Sequence, residues 1–250
     1  MSGIARILVI AGSDSGGGAG IQADIRTITT LGGHAMTAIT AITAQNTLGV
    51  QGVHPVPVDM VLAQIDSVVA DIGVDAVKIG MIGSAETAQA VAARLEAMEK
   101  IPIVFDPVMV ATSGSVLADA DTIAGFEQLM RLATVVTPNI PELAALGGDV
   151  IATLHGCAVL AKGGHGAGDV LVDRLFDTGG EIARWEGKRI DTLHTHGTGC
   201  TLASAIAVGL GQGMMLTDSI VRARQYVRAA LLAAPGLGHG RGPMGVPRDA

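Results

Sequence analysis

Six short apolar runs, each ending in glycine or polar residues, constrain this chain more than any other feature of its sequence. Ile7 to Ala11 runs into Gly12-Ser13-Asp14, and Met36 to Ala44 delivers Gln45-Asn46. Ala76 to Gly80 leads to Met81, and Ile103 to Pro107 ends in Asp106-Pro107. Thr134 to Asn139 closes with Thr137-Pro138-Asn139, and Cys157 to Gly164 with Lys162-Gly163-Gly164. Runs this short and apolar read as strands, most of them buried on both faces. Between them the periodicity is helical. Ile21 to Ile28 reads as a helix, and Pro57 to Ile72 places Val61, Ile65, Val68 and Val69 on one face. Ser84 is a good N-cap for a helix from Ala85 to Glu99, and a last helix runs from about Thr217 to Ala234. Asp169 to Asp173 and Glu181 to Glu186 are polar at alternate positions and read as a hairpin. Strands alternating with helices predict an α/β fold, with a mostly parallel sheet covered on both faces. In such sheets ligands sit beyond the carboxyl ends of the strands, so six polar endings on one edge predict a site there.

A chain of 250 residues suits one α/β domain spanning 1–250, with no linker or internal repeat in view. Hydrophobic residues are 49% but aromatics only 2%, so Ala, Val, Ile and Leu must fill the core. The net charge of −7 and the lack of any Lys/Arg run argue against a nucleic-acid partner. Two cysteines, Cys157 and Cys200, make a disulfide framework improbable and fit a reducing cytoplasm. The first apolar run is too short for a secretory signal. Mean hydropathy is +0.49, yet the best membrane candidate, Cys200 to Leu216, is broken by Gly209, Gly211, Gln212 and Gly213. It reads as a core helix followed by a loop, not a membrane span.

One further stretch carries chemistry. Thr195-His196-Gly197-Thr198-Gly199-Cys200 runs straight into the apolar segment Thr201 to Ala207. Glycines let backbone approach a ligand, and a helix beginning there aims free N–H groups and its positive dipole end at an anion. Cys200 at that helix start is expected to have a stabilised thiolate. The competing reading is a glycine-rich turn before a buried helix. The glycine loop Gly16 to Gly20 is neither a P-loop nor a dinucleotide fingerprint. His194 and His196 lie two apart, without further ligands nearby, and read as structural or substrate-adjacent.

Taken together and in order, the motifs resemble one family. Ala11-Gly12-Ser13-Asp14-Ser15-Gly16-Gly17-Gly18-Ala19-Gly20-Ile21-Gln22-Ala23-Asp24 is similar to the N-terminal signature of hydroxymethylpyrimidine/phosphomethylpyrimidine kinases of thiamine biosynthesis. The resemblance continues through Thr43 to Thr47, Lys78 to Met81, Asp106 to Met109, Ser113-Gly114, Thr137 to Glu142, Lys162 to His165, His196 to Cys200 and Gly238 to Pro243. It implies a three-layer α/β/α ribokinase-like fold and transfer of the ATP γ-phosphate to the aminopyrimidine hydroxymethyl group, then to the monophosphate. It places Gly12, Asp24, Gln45 and Met81 at the pyrimidine, Asp106 and Glu142 near Mg²⁺, and Lys162, Thr198 and Asn139 at the nucleotide. Gly197, Gly199 and Cys200 fall at the transferring phosphoryl group, with Cys200 as general base. It also implies a homodimer in the cytoplasm, with no membrane or nucleic-acid partner.

The residues themselves leave alternatives open. Gln45 offers a donor and an acceptor to a ring nitrogen and its exocyclic amine. Asp24 also suits a helix first turn, Met81 an ordinary core, Glu142 a helix N-terminus, Lys162 a solvated strand end and Asn139 an Asx turn. Cys200 also reads as a core residue. The family carries a longer stretch with a full helix between Glu142 and Lys162, where this chain has only Leu143 to Leu160. Two other functions fit the pattern: a pyridoxal kinase of the same fold, and a non-catalytic pyrimidine-binding module.

Overall fold

The computed structural model describes residues 3–98, 100–111, 114–165 and 168–247. Glu99, the expected end of one helix, and Ser113 of the signature lie outside the described residues. The first strand, β1 (Arg6–Asp14), is flanked by β2 (His34–Asn46) and, beyond β2, by β3 (Gly49–Pro55). On its other side come β4 (Ala76–Ile79), β5 (Ile103–Phe105), β6 (Val135–Val136) and β7 (Ala158–Ala161). The hairpin strands β8 (Val170–Asp177) and β9 (Gly180–Lys188) complete the edge. Among the described residues this gives one nine-stranded sheet in the order β3-β2-β1-β4-β5-β6-β7-β8-β9. The six expected strands are mutually parallel, while β3 and β8 run antiparallel to their inner neighbours. All six polar endings therefore emerge on one edge.

Alternation along β1 divides the core in two. Leu8 and Ile10 face α2 (Val58–Asp71), α3 (Ala85–Glu96), α4 (Ala120–Leu132) and α6 (Ile151–His155), meeting Val61, Val91, Phe126 and Ile151 in one cluster. Ile7, Val9 and Ala11 face α1 (Gly20–Thr30), α7 (Thr198–Gly211) and α8 (Leu216–Leu232), meeting Ile28, Ile206 and Ile220. These side chains are buried, and each fully buried Leu or Ile is worth roughly 1.5–3 kcal/mol. Phe105 and Phe126 meet edge to face at 5.1 Å, one of the few places where the core uses aromatics.

The structure differs from the sequence reading at identifiable points. β3 was not expected, and neither was α4, which Asp119 caps through the Thr122 amide. The short segment Leu143 to Leu160 holds the end of α5 (Ile140–Ala145) and the five-residue α6. Ile151 and Ala152 of α6 fill the core there, so the shortened segment still closes that layer. The Cys200 to Leu216 stretch divides into α7, a turn and the start of α8. Among the described residues no helix is long and apolar enough to cross a membrane.

Candidate active site

At the end of β1 the Asp14 carboxylate collects donors. Oδ1 accepts from the Gly16 amide at 2.8 Å, and Oδ2 from the Gly18 and Ala19 amides at 3.0 and 2.8 Å. His196 Nε2 lies 2.9 Å from the same Oδ2. Burial pushes this carboxyl up, but His196 and the Ala19 and Gly16 amides outweigh it and hold it below the usual range. The glycine loop is thus wrapped around an anion of the chain itself. A Cβ on Gly18 would overlap the His196 ring, and one on Gly12 would overlap the Met81 methyl carbon. Both glycines provide room that a neighbouring side chain occupies. Gln45, at the end of β2, is partly exposed beside this cluster. Its backbone is tied to Ser15, the N–H donating to Ser15 Oγ at 2.8 Å and the carbonyl accepting from it at 2.9 Å.

A second cluster forms where β5, β6 and β7 end. Lys162 Nζ donates to Asp106 Oδ1 at 2.7 Å, and Thr137 Oγ1 donates to the same oxygen at 3.1 Å. Burial lowers the Lys162 pKa, but Asp106 and Glu142 raise it more, so it stays an ammonium. Glu142 goes the other way. Burial pushes its carboxyl up, Lys162 opposes this, and Asp106 adds to the rise. The first turn of α7 lies against this cluster. A Cβ on Gly199 would sit 3.2 Å from Asp106 Oδ2 and 3.3 Å from Lys162 Nζ. Gly197, at the N-cap, has φ +87°, and a Cβ there would strike the Gly18 carbonyl, so only glycine fits. It offers no side-chain cap, which leaves the Gly199 and Cys200 N–H groups open to an outside acceptor, while that of Thr198 donates to the Thr195 carbonyl.

Beneath the edge, Lys78 Nζ donates to Asp24 Oδ2 at 2.9 Å, and Ser204 Oγ donates to Asp24 Oδ1 at 2.7 Å. Neither charged side chain reaches solvent. Ser204 follows Cys200 by one helical turn, so this pair lies on the Cys200 side of α7.

Three sequence expectations change here. Cys200 is not a stabilised thiolate: burial is the largest effect and pushes its thiol up to about 11, with Asp24 and Asp106 adding to it. Lys78 and the Gly20 amide oppose that rise without overcoming it. Asp24 presents no exposed oxygen to a ligand, because Lys78 and Ser204 engage both. Asn139 is an N-cap: its Oδ1 accepts from the Glu142 amide at 2.9 Å, and Glu142 Oε2 accepts from the Asn139 amide at 2.8 Å. That capping box commits one oxygen of each residue to starting α5.

Gly12, Gln45 and Met81 gather at the β1–β2–β4 end, whereas Asp106, Glu142, Lys162 and Gly199 gather at the α7 N-terminus. Thr198 opens α7, its amide 3.3 Å from the Thr195 carbonyl. His194 is not part of this edge chemistry; its Nδ1 is buried without a partner among the described residues. Among the described residues no three His, Cys, Asp or Glu side chains gather to cage a metal. Sequence reasoning assigned no role to Lys78, Thr137, Ser204 or Asp14. Lys78 carried a signal: a lysine inside an apolar strand run demands a buried counter-charge.

A family model described as phosphomethylpyrimidine kinase matches residues 14–245. The chain belongs to the phosphomethylpyrimidine kinase family. It is 47% identical to a hydroxymethylpyrimidine/phosphomethylpyrimidine kinase of Rhizobium meliloti, over 95% of each protein. It is 48% identical to the thiamine biosynthesis bifunctional protein ThiED of Geobacter sulfurreducens, covering 95% of this chain but only 51%, about half, of that protein's length. Among solved structures it resembles a Bacillus subtilis pyridoxal kinase in an ADP complex, with TM-score 0.87, 31% identity and 98% of each chain covered. Members of this family are kinases of thiamine biosynthesis, and the ribokinase-like fold expected from the motifs is the fold found.

Proposed function

We propose that the chain transfers the γ-phosphate of ATP to the hydroxymethyl oxygen of 4-amino-5-hydroxymethyl-2-methylpyrimidine, and then a second phosphate to the monophosphate. The observation that carries this reading is the uncapped first turn of α7 against Lys162 and Asp106, with Gln45 and Met81 at the neighbouring strand ends. The α7 amides from Gly197 to Cys200 and the Lys162 ammonium hold the transferring phosphoryl group, with Thr198 and Asn139 on the nucleotide side. Gln45 reads the aminopyrimidine edge, and Met81 covers the ring from its seat against Gly12. Asp24 lies beneath the Cys200 side of α7, paired with Lys78.

The donor set on the phosphate side fits Mg²⁺. Asp106 and Glu142 are hard oxygen donors, and the burial and mutual repulsion that raise Glu142 are what a divalent cation relieves. When bound, the ion neutralises charge on the phosphate oxygens. In the first step the acceptor O–H bond breaks as its oxygen bonds the γ-phosphorus, ADP leaves, and the proton passes to Cys200 Sγ in its ionised form. In the second step the acceptor is a phosphate oxygen, ionised at neutral pH because its second pKa is about 6, so no base is needed.

Residues 1–250 act as one kinase unit, and we read it as a cytoplasmic homodimer of about 50 kDa, twice the 25.2 kDa chain mass. Sedimentation of the purified chain tests the dimer. The test of function is ADP release measured side by side with the hydroxymethylpyrimidine, its monophosphate and pyridoxal. Both pyrimidines should give the higher kcat/KM; preference for pyridoxal would overturn the assignment. Pyridoxal is included because of the pyridoxal kinase likeness over the whole fold.

A further inference from the structure

Four polar groups beside the acceptor pocket balance their protons in only one way. His196 Nε2 lies 2.9 Å from Asp14 Oδ2 and 3.1 Å from the Gln45 amide nitrogen position. The Gln45 oxygen position lies 3.2 Å from Thr43 Oγ1, which is also 3.0 Å from the Ser13 carbonyl. Asp14 is an ionised acceptor filled by backbone N–H groups, so His196 must carry its proton on Nε2 and donate it there. A nitrogen that bears a proton cannot also accept from an amide NH₂. The Thr43 hydroxyl has one proton for two acceptors, and where the nearer Ser13 carbonyl takes it the Gln45 oxygen is left without a donor. Thr43 can then only accept from Gln45, yet the atom facing it is an oxygen. Both conflicts vanish when the amide makes a half turn, a change that exchanges atoms of nearly equal size. The Gln45 carbonyl then shares the His196 N–H, and the Gln45 NH₂ donates to Thr43, which donates to Ser13.

We infer that His196 is a positioning residue that fixes which end of the Gln45 amide faces which side of the acceptor, and so sets the edge pattern the pocket reads. This rests on Gln45 being an acceptor ligand, as proposed above. The amide keeps one N–H and one carbonyl lone pair for the ligand, in a fixed order. That order suits a ring whose acceptor nitrogen and donor amine are adjacent; the reverse order suits the mirror arrangement. The imidazole is itself held. It is buried, fills the space left by the missing Cβ of Gly18, and its backbone N–H donates to the Gly242 carbonyl at 3.2 Å. The ring therefore has little freedom to follow a turned amide.

The experiment combines a thermodynamic cycle with spectroscopy of the unaltered protein. His196→Phe keeps a ring but no donor, and should raise the aminopyrimidine KM about tenfold, the loss of one partly buried hydrogen bond, with kcat and the ATP KM changing much less. It should also narrow the preference for the aminopyrimidine over pyridoxal. His196→Gln restores an N–H near the Nε2 position and should recover most of the KM. In a Gln45→Leu background, His196→Phe should add nothing. If Gln45→Leu leaves the acceptor KM unchanged, the acceptor assignment of Gln45 itself fails. If Gln45→Leu raises KM but His196→Phe has no effect, or a fully additive one, the positioning role alone is overturned. Should His196→Phe not fold, long-range ¹⁵N–¹H spectra of the wild-type chain decide the matter: a proton on Nε2 supports the arrangement, and a neutral ring protonated on Nδ1 refutes it.

Discussion

The pH dependence of a Cys200→Ala variant tests how the first acceptor loses its proton. The thiol is pushed up to about 11 by burial. At pH 7.5 a thiol of that pKa is ionised to about 0.03%. General-base assistance is worth roughly 10²–10⁴-fold when the base is fully ionised. Population times advantage gives roughly a few-fold at most at pH 7.5, rising to roughly 10–10³-fold at pH 10, where about a tenth of the thiol is ionised. The wild-type rate on the hydroxymethyl acceptor should therefore climb roughly 10- to 100-fold between pH 8 and 10, and Cys200→Ala should be mild at pH 7.5 and severe at pH 10. Cys200→Asp supplies a carboxylate ionised throughout and should flatten the profile. The monophosphate should give a flat profile with all three proteins. ADP is best measured by quenched chromatography, since coupling enzymes fail in alkali. Folded stability needs a parallel melting curve. A raised thiol pKa stabilises the fold fully below the unfolded value near 8.5, and that contribution is lost as pH rises toward 11. A flat wild-type profile would refute the thiolate base. So would a loss of about 10²-fold at pH 7.5 that is equal on both acceptors, which would make Cys200 a group that positions rather than deprotonates.

Gly12→Ala should raise the acceptor KM several-fold, because its Cβ displaces the Met81 methyl toward the ring, and in a Met81→Ala background the same change should add nothing further; steady-state kinetics of the single and double variants decide. Asp106→Asn and Glu142→Gln should each raise the Mg²⁺ concentration for half-maximal rate, and unchanged metal titrations would make these acids structural. Lys78→Met leaves Asp24 buried without its counter-charge, which costs about 3–5 kcal/mol. At about 2–4 °C per kcal/mol for a chain of this size, calorimetry should show Tm falling by about 6–20 °C. Adding Asp24→Asn should recover much of that fall, and a drop below about 2 °C would show the pair to be unimportant.

The sheet was readable because its parallel strands are buried on both faces, so each is a compact apolar run whatever surrounds it. β3 was not, for the opposite reason. Its sequence, Gly-Val-Gln-Gly-Val-His-Pro, lies almost wholly exposed on the sheet edge, where neither apolar alternation nor burial marks a strand. α4 did carry a signal, since Phe126, Leu129 and Met130 have helical spacing after the cap Asp119, and the reading passed over it. At the site, the positions were legible and the states were not. Cys200 was correctly placed at a helix start, but whether dipole or desolvation prevails depends on how much protein covers the sulfur, and no sequence pattern encodes that. The resemblance put Asp24 at the ligand, and the partners that engage it instead, Lys78 and Ser204, are 54 and 180 residues away in the chain.

A pyridoxal kinase superposes on 98% of the chain at 31% identity, so the fold does not by itself choose an acceptor. In the function proposed above, Lys162, Asp106 and the α7 N-terminus act on the phosphate, which is common to every acceptor. Under that proposal, choice comes from the groups set against the ring: the Gln45 amide, the Met81 side chain, and the residues that hold each in place. Here each is held by a different device. Gln45 is tied by its backbone to Ser15 and by its amide to His196 and Thr43, while Met81 fills the hollow at Gly12 and is anchored through its carbonyl by Thr40 Oγ1 at 2.7 Å. One device is polar and directional, the other steric. A hydrogen-bonding edge discriminates far more strongly against a ligand with the wrong donor pattern than an apolar contact does against a ring of similar size. Selectivity for the aminopyrimidine should therefore fall mainly with changes at Gln45 and His196, while changes at Gly12 and Met81 should weaken all acceptors together.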